Sequence, residues 1–562
     1  MTYIERYQEW IAAPFTVEQT KKELQALSLT TDAKDIEDRF YKELEFGTGG
    51  LRGIMGAGTN RVNRYTIGKA TTGLGNYLKD HYTAWDLSER GVVIGYDTRN
   101  NSEYLAEVSA DVLTAMGIKV LLFSMARPTP EVSFTVKYRN CIAGIVLTAS
   151  HNPKEYNGYK VYDENGCQLV PAQAKSVISY VNKITDYSTI VFTAQDQLKT
   201  YIDVTVDYVR EVYKQSLNKN QASKSKLKVV YTPIHGTGTV PVLLALTSSG
   251  FDTVEIVAIQ EKPDGNFPTV YSPNPEDPKA LELGIQQAKD TNADIVLGTD
   301  PDADRVGVAV QVDGEYKLLT GNQIGALLVD YVVRKKDLRH YQNPALVKTE
   351  VTSELGANIA RKHGLDVYST LTGFKFIGEK IDQFEEKGIH FIIGYEESYG
   401  YLAGTHARDK DAVVASLLIC EMAAEYKQDG FTLFDRLEQI YQEYGYYNDH
   451  LDAFTLKGKD GIEMIQSMMV NLRKEGSPYE DSVKIIDYMT DVEAEPGFDL
   501  LPKSDVIKYI LADGSWVAVR PSGTEPKIKI YYSVTAETYE ETKDRLKCLQ
   551  KIIITRLGLE NN

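Results

Sequence analysis

The sequence predicts an α/β protein of three structurally repeated α/β domains with mixed sheets, followed by a smaller C-terminal α+β domain. Three observations predict it. The chain has 562 residues, too many for one hydrophobic core. Short apolar runs alternate with longer helical patterns for most of its length. Three successive segments each carry a buried strand into a polar loop, which is where open α/β sheets bind their ligands.

The first segment holds the strand GVVIGYD (91–97), a helix near 103–116 and the strand IKVLLF (118–123). It ends in CIAGIVLTASHNP, an apolar run broken at Ser150-His151-Asn152-Pro153. The second has LKVVYTP (227–233), a helix near 240–249, VEIVAI (254–259) and a helix near 279–290. Its last strand, ADIVLG (293–298), runs into TDPDADR. The third has PALVKT (344–349), a helix near 352–363, DVYST (366–370) and a helix near 376–387. Its last strand, IHFIIG (389–394), runs into YEESYG. This shared plan is a repeat of structure more than of residue identity.

The stretch KQSLNKNQASKSK (214–226) is polar and lysine-rich and reads as a linker. Beyond about residue 455 the pattern changes to helices near 460–473 and 537–556 with strands between them. VIKYI, Asp513-Gly514 and SWVAVR read as a β-hairpin with a two-residue turn. The expected domains are therefore 1–213 with the Ser150 loop, 214–318 with the aspartate loop, 319–452 with the glutamate loop, and 453–562.

Apolar content of 43% and charged content of 25% are ordinary for a globular protein. A net charge of −17 argues against nucleic-acid or anionic-membrane partners, while leaving room for a local basic pocket. Cys141, Cys167, Cys420 and Cys548 form no CxxC pair, so neither a zinc site nor a disulfide framework is indicated. There is no signal-peptide pattern at MTYIERYQEW and no apolar run of membrane-spanning length. A cytoplasmic protein is expected.

The strongest chemical signal is Asp300-Pro301-Asp302-Ala303-Asp304-Arg305. Three carboxylates at alternate positions can converge on a hard divalent cation. An EF-hand would need glycine and glutamate where Arg305 and Gln311 stand, so Mg²⁺ shared with a phosphate oxygen is the better fit. In Arg520-Pro521-Ser522-Gly523-Thr524-Glu525-Pro526-Lys527 a guanidinium fork, two hydroxyls and a glycine turn suit one phosphate. A plain turn with solvated charges is the alternative. Gly394-Tyr395-Glu396-Glu397-Ser398-Tyr399-Gly400 offers carboxylates and a hydroxyl that suit sugar hydroxyls, or else a solvated strand-ending turn.

For Ser150-His151 a Ser-His-Asp hydrolase is the weaker reading. Neighbouring side chains on an extended chain point apart, and the GxSxG elbow is missing. A serine that carries a phosphoryl group, giving the metal one more anionic oxygen, is the better one; a capping turn is the bland alternative. YTPIHGTGT (231–239) lacks a nucleotide-binding spacing, so its glycines and His235 read as a tight strand-to-helix turn.

With these loops in order, the sequence resembles the α-D-phosphohexomutase superfamily. TASHNP, GTDPDADR, GYEESYG and RPSGTEP are similar to its phosphoserine, metal, sugar and phosphate loops, and the likeness runs from FGTGGLRG (46–53) to RPSGTEPKIKIYY (520–532). The resemblance implies four domains around a central cleft, each giving one loop. It implies Ser150 as the phosphorylated serine, with Ser150, Asp300, Asp302 and Asp304 as ligands of one Mg²⁺ per chain. Glu396, Ser398 and Lys375 would bind the sugar, and Arg520, Ser522, Gly523 and Thr524 the phosphate that is not transferring. Arg52, His151, Lys160 and Arg305 would surround the reaction.

The sugar loop lacks the histidine of the mannose/glucose dual-specificity branch and favours the phosphoglucomutase branch carrying GEES. The implied activity is interconversion of glucose 1-phosphate and glucose 6-phosphate through a phosphoserine and glucose 1,6-bisphosphate. Phosphopentomutase, phosphomannomutase and, more remotely, a metal-dependent sugar phosphatase are the alternatives. Lys160 is the candidate general acid/base, provided that its pKa is depressed. Partners would be small sugar phosphates, with no nucleic acid or membrane, and the chain a monomer or weak homo-oligomer.

Overall fold

A computed structural model describes residues 1–47, 50–456, 458–490, 498, 500–522 and 526–560. It divides into two compact units. One comprises residues 1–319, 374–388 and 399–429, and the other 320–373, 389–398 and 430–562. Among the described residues no helix is long and apolar enough to cross a membrane.

The first unit contains two mixed sheets. The six-stranded sheet runs in the order Leu51–Ile54, Tyr156–Tyr162, Ala143–Leu147, Val92–Tyr96, Val120–Phe123, Lys199–Ile202. Val92–Tyr96 pairs in parallel with both Ala143–Leu147 and Val120–Phe123, and all three are apolar runs, as a sheet covered on both faces requires. Tyr156–Tyr162 then returns antiparallel, with Val146 opposite Lys160. The Ser150 loop is thus the turn between a buried parallel strand and its antiparallel neighbour. Loops following Val92–Tyr96 and Ala143–Leu147 emerge at the same edge because those strands are parallel.

The five-stranded sheet runs Glu315–Leu319, Val306–Val312, Ile295–Thr299, Val229–Thr232, Val254–Ile256. Its central strands Val229–Thr232 and Ile295–Thr299 are parallel and fully buried, and the second delivers Asp300 at its carboxyl end. The expected strand 254–259 is shorter: it stops at Ile256, and a helical turn, Ala258–Glu261, follows.

Three N-terminal helices, Tyr3–Ala12, Glu18–Gln25 and Ala33–Phe40, were not foreseen from the sequence. A capping box of Thr2 and Glu5 starts the first. Trp10 fixes the group by edge contacts to Tyr65, Tyr187 and Phe40 at 5.1, 5.4 and 5.7 Å. The polar stretch 214–226 is not a loose tether. Glu421, fully buried on the helix Ala412–Gln428, accepts from the Leu217 and Asn218 amides at 2.8 and 3.1 Å. It also takes the Ser216 hydroxyl and pairs with Lys224 at 2.9 Å. A buried carboxylate must be paired, and the polar residues that looked like linker are its partners.

In the second unit three parallel strands, Asp366–Thr370, Pro344–Thr349 and His390–Glu396, lie side by side. The C-terminal sheet is antiparallel, in the order Tyr446–Thr455, Lys527–Ala536, Trp516–Pro521, Ile507–Leu511, Ser482–Asp487. The hairpin turn is longer than the sequence suggested. Leu511 N–H bonds Ser515 O at 2.9 Å around the three residues 512–514, with Gly514 at φ 86°. A third loop residue in the left-handed region lets a type I turn join the twisted strands.

Candidate functional site

In the first unit the structure brings Ser150, His151, Lys160, Arg305 and the three aspartates together. Ser150 is 4% exposed and sits at φ 51°, in the left-handed region. That conformation corrects the expectation that the Ser150 and His151 side chains diverge. They would on an extended chain, but here Ser150 Oγ lies 3.1 Å from His151 Nδ1. The same hydroxyl donates to Asp300 Oδ2 at 2.9 Å. Burial, together with Arg305 and Arg52, holds the His151 imidazole well below its ordinary pKa, so it is neutral. Arg52 reaches the loop through Asn152 Oδ1 at 3.1 Å.

Asp300, Asp302 and Asp304 are 0, 0 and 1% exposed, and each offers a carboxylate oxygen within 4.8 Å of the others. The turn is built for this. Asp300 Oδ1 accepts the amides of Asp304 and Arg305 at 3.1 and 3.0 Å, closing the loop on itself. Asp302 Oδ2 accepts from Lys160 Nζ at 2.9 Å and Thr129 Oγ1 at 2.8 Å. Asp304 pairs with Lys410 at 3.1 Å and Lys160 at 3.5 Å. Burial and its two neighbours push the Asp300 carboxyl well up. Burial also acts on Asp302, but Lys160 outweighs it and holds that carboxyl below the usual range. Asp302 Oδ1 and Asp304 Oδ1 are buried and accept no hydrogen bond. Buried carboxylate oxygens need a positive partner, so the set fits a divalent cation with oxygen ligands.

Lys160 does not meet the condition set for a lysine base. Burial alone would lower its pKa, but Asp302 and Asp304 raise it above the ordinary value, and the ammonium stays charged. Arg305 is paired with Glu276. Lys375, half-buried in the first turn of the helix Phe374–Lys387, accepts a bond from Cys167 Sγ on its carbonyl at 3.3 Å.

In the second unit Glu396 ends its strand with 4% exposure and accepts the Gly373 amide at 2.8 Å. Glu397 takes the hydroxyls of Thr349 and Thr352, both at 3.3 Å, and Ser398 is half-buried beside it. Glu350, buried, accepts the amide and hydroxyl of Thr372 at 2.9 and 2.7 Å, and its carbonyl takes Lys508 Nζ at 2.6 Å. Arg520 lies near the end of the strand Trp516–Pro521, and Ser522 N–H bonds Lys527 O at 2.7 Å. Gly523 and Thr524 lie outside the described residues.

The chain matches all four domains of the phosphoglucomutase/phosphomannomutase family: alpha/beta/alpha domain I over residues 43–188, domain II over 206–314, domain III over 320–444 and the C-terminal domain over 469–547. It is 39% identical over 533 residues to a phosphoglucomutase of Staphylococcus aureus, covering 92% of this chain and 94% of that one. The chain belongs to this family. A Staphylococcus epidermidis phosphoglucomutase is 38% identical over 509 residues, 88% of this chain and 92% of that one. Two solved structures share the fold at low identity. Parafusin, a phosphoglucomutase from Paramecium, has a TM-score of 0.70 at 18% identity, covering 92% of this chain and 96% of that one. A putative phosphomannomutase from Thermus thermophilus has a TM-score of 0.66 at 23% identity, covering 91% and 99%.

Several residues at the site of this family member escaped the sequence reading. Lys410 touches Asp304, and Asp409 bridges it to Tyr162, accepting Lys410 Nζ at 3.1 Å and the Tyr162 hydroxyl at 2.7 Å. Their signal was the run Arg408-Asp409-Lys410-Asp411 just before a long apolar helix, a density of charge that a buried segment carries only with partners. Thr129 and Glu276 gave no comparable signal.

Proposed function

We infer that the chain is an isomerase with phosphoglucomutase activity. It interconverts glucose 1-phosphate and glucose 6-phosphate through phosphorylated Ser150 and glucose 1,6-bisphosphate. The observation that carries this reading is the seat of Ser150, whose Oγ meets Asp300 at 2.9 Å at the head of a buried aspartate triad. The phosphoglucomutases that it resembles at 38–39% identity over about nine-tenths of the chain support it.

Phosphoryl transfer asks a protein for positioning and charge more than for covalent chemistry. A free sugar hydroxyl attacks the phosphorus of phosphoserine 150. The bond from phosphorus to Oγ breaks as the bond to the sugar oxygen forms, and the proton that leaves the sugar hydroxyl is matched by the one that Ser150 Oγ gains. Neutral His151 lies 3.1 Å from Oγ, and Lys160 and Arg305 bring positive charge. The return step runs the same exchange with the other phosphate of the bisphosphate. A Mg²⁺ ion held by Asp300, Asp302, Asp304 and Ser150 supplies, when bound, positive charge to the transferring phosphoryl oxygens. Arg52 borders the phosphoserine loop. Glu396, Ser398 and Lys375 bind the sugar, and Arg520, Ser522, Gly523 and Thr524 the distal phosphate. The enzyme works in the cytoplasm on small sugar phosphates, as a monomer or weak homo-oligomer.

The test is intact mass after incubation with glucose 1,6-bisphosphate, together with a coupled assay for glucose 6-phosphate. A stable adduct of about one phosphate (~80 Da) on Ser150, absent in Ser150→Ala, is expected with turnover of glucose 1-phosphate. An adduct lost to water faster than to sugar would make the chain a phosphatase. Higher kcat/KM for ribose 1-phosphate or mannose 1-phosphate would overturn the glucose assignment.

A further inference from the structure

Asp97 and Arg99 follow the strand Val92–Tyr96, and their side chains are fully buried. Neither touches the aspartate triad, and no role in the chemistry above uses them. Yet the Arg99 guanidinium ends in four backbone carbonyls between Ser150 and Tyr156. Nη2 donates to Ser150 O and Asn152 O, and Nη1 to Pro153 O at 3.0 Å and Tyr156 O at 3.2 Å. A planar fork can serve several acceptors at fixed angles, which a lysine cannot. The other side of Ser150 leads to the same place. Its amide donates to Thr148 Oγ1 at 2.7 Å, and Thr148 Oγ1 donates to Asp97 Oδ2 at 2.6 Å. Asp97 in turn lies 3.3 Å from Arg99 Nε and accepts the Arg99 amide at 3.0 Å. Both backbone polar groups of Ser150 are therefore tied to one ion pair. The residue between those ties has φ 51°, a conformation that a serine holds only when its surroundings impose it. The guanidinium is itself fixed from beneath by the Phe267 ring, 5.0 Å away.

We propose that Arg99, set by Asp97, is the positioning residue that imposes the left-handed geometry of Ser150 and so aims its Oγ for phosphoryl transfer without touching the sugar phosphate. This rests on the phosphoserine reading above, but its structural half can be tested without it. The strand Val92–Tyr96 is parallel to Ala143–Leu147, so the arginine reaches the Ser150 loop from the adjacent strand end, a placement that the β-sheet register alone provides.

The experiment compares Arg99→Lys and Thr148→Val with the full-length wild type. Hydrogen exchange is read on peptides covering 149–156 and, as a control, 143–147. Kinetics with glucose 1-phosphate and the rate of Ser150 phosphorylation by glucose 1,6-bisphosphate are read beside it. Faster exchange confined to 149–156 is expected in both variants. A fall in kcat and phosphorylation rate of about 100-fold is expected for Arg99→Lys, the scale of an ångström of misplacement, with KM within about threefold. Thr148→Val, nearly isosteric, should show the same signature more weakly and keeps the test open if Arg99→Lys fails to fold. Unchanged exchange in 149–156, or kcat falling only in proportion to the unfolded fraction, would overturn the proposal. Loop loosening without phosphorylation of the wild type would keep Arg99 as the residue that sets the geometry of Ser150 and would sink the phosphoserine reading, and with it the phosphoryl-transfer half of the proposal.

Discussion

Adding a divalent cation to metal-free protein should raise its thermal midpoint, and Asp302→Asn should abolish the response. Asp302 Oδ1 and Asp304 Oδ1 are buried and accept no hydrogen bond, with Arg305 Nε 3.8 Å from the second. An unsatisfied buried polar atom costs about 1–3 kcal/mol, so satisfying two is worth about 2–6 kcal/mol. Linkage gives about 2.7 kcal/mol at a hundredfold excess of cation over Kd, inside that range. Each kcal/mol moves the midpoint by about 2–4 °C for 150–250 residues, and by about 1.3 °C for the larger unit that carries the site, so a shift of about 3–4 °C is expected. The assay is differential scanning calorimetry of chelator-treated protein titrated with MgCl₂, with and without Asp302→Asn. Asparagine removes one of the three negative charges while leaving an oxygen for Lys160 and Thr129. A wild type indifferent to Mg²⁺, or a variant that keeps the whole shift, would refute the reasoning that these oxygens form a cation site.

Two further outcomes follow from the second unit. Burial and the neighbouring Lys348 pull the Lys508 ammonium down to about 7 from its ordinary 10.5. The folded state then binds fewer protons than the unfolded chain between those values, so stability is lowest below pH 7 and climbs from there toward pH 10.5. The slope is on the order of 1 kcal/mol per pH unit. Urea unfolding followed by tryptophan fluorescence in a Trp10→Phe, Trp85→Phe background, which leaves Trp516 with its ring 4.0 Å from Lys508 Nζ, should show it and lose it on Lys508→Met; an equal slope in both excludes this lysine as the cause. On the phosphate-binding role proposed for Arg520, Arg520→Ala should raise KM for glucose 1-phosphate about tenfold or more while Ser150 still accepts phosphate, because a charge-assisted contact to the distal phosphate would be lost. Equal affinity for the phosphosugar in variant and wild type would remove Arg520 from the clamp.

Much of this was legible in the sequence. Strands such as 143–147 and 295–299 are unbroken apolar runs, and the polar loops at their ends carry residues whose chemistry does not depend on context. Three alternate aspartates read as a cation site from their spacing alone, and their carboxylates are buried together. What stayed hidden depends on the third dimension. The φ of Ser150 is imposed by groups about fifty residues upstream, so local reasoning placed His151 on the wrong side of it. The state of Lys160 is decided by carboxylates more than 140 residues away. Ser216 and Lys224 read as solvated linker because their partner, Glu421, is about two hundred residues downstream.

The first unit is also discontinuous in sequence. Its body ends at Leu319, yet it is completed only by 374–388 and 399–429. The helix Ala412–Gln428, buried from Ala412 to Ala424, belongs to that late segment. On the ribosome, roughly the first three hundred residues therefore wait for the chain from 320 to 429, about 5–20 s at ordinary elongation rates. Glu421, and with it the anchor of 214–226, arrives at the end of that wait. Lys410 arrives in the same interval, so the surroundings of Asp304 are completed only after the second unit has begun to emerge. Translation speed and chaperone cover between those residues thus bear on how much chain reaches the native state.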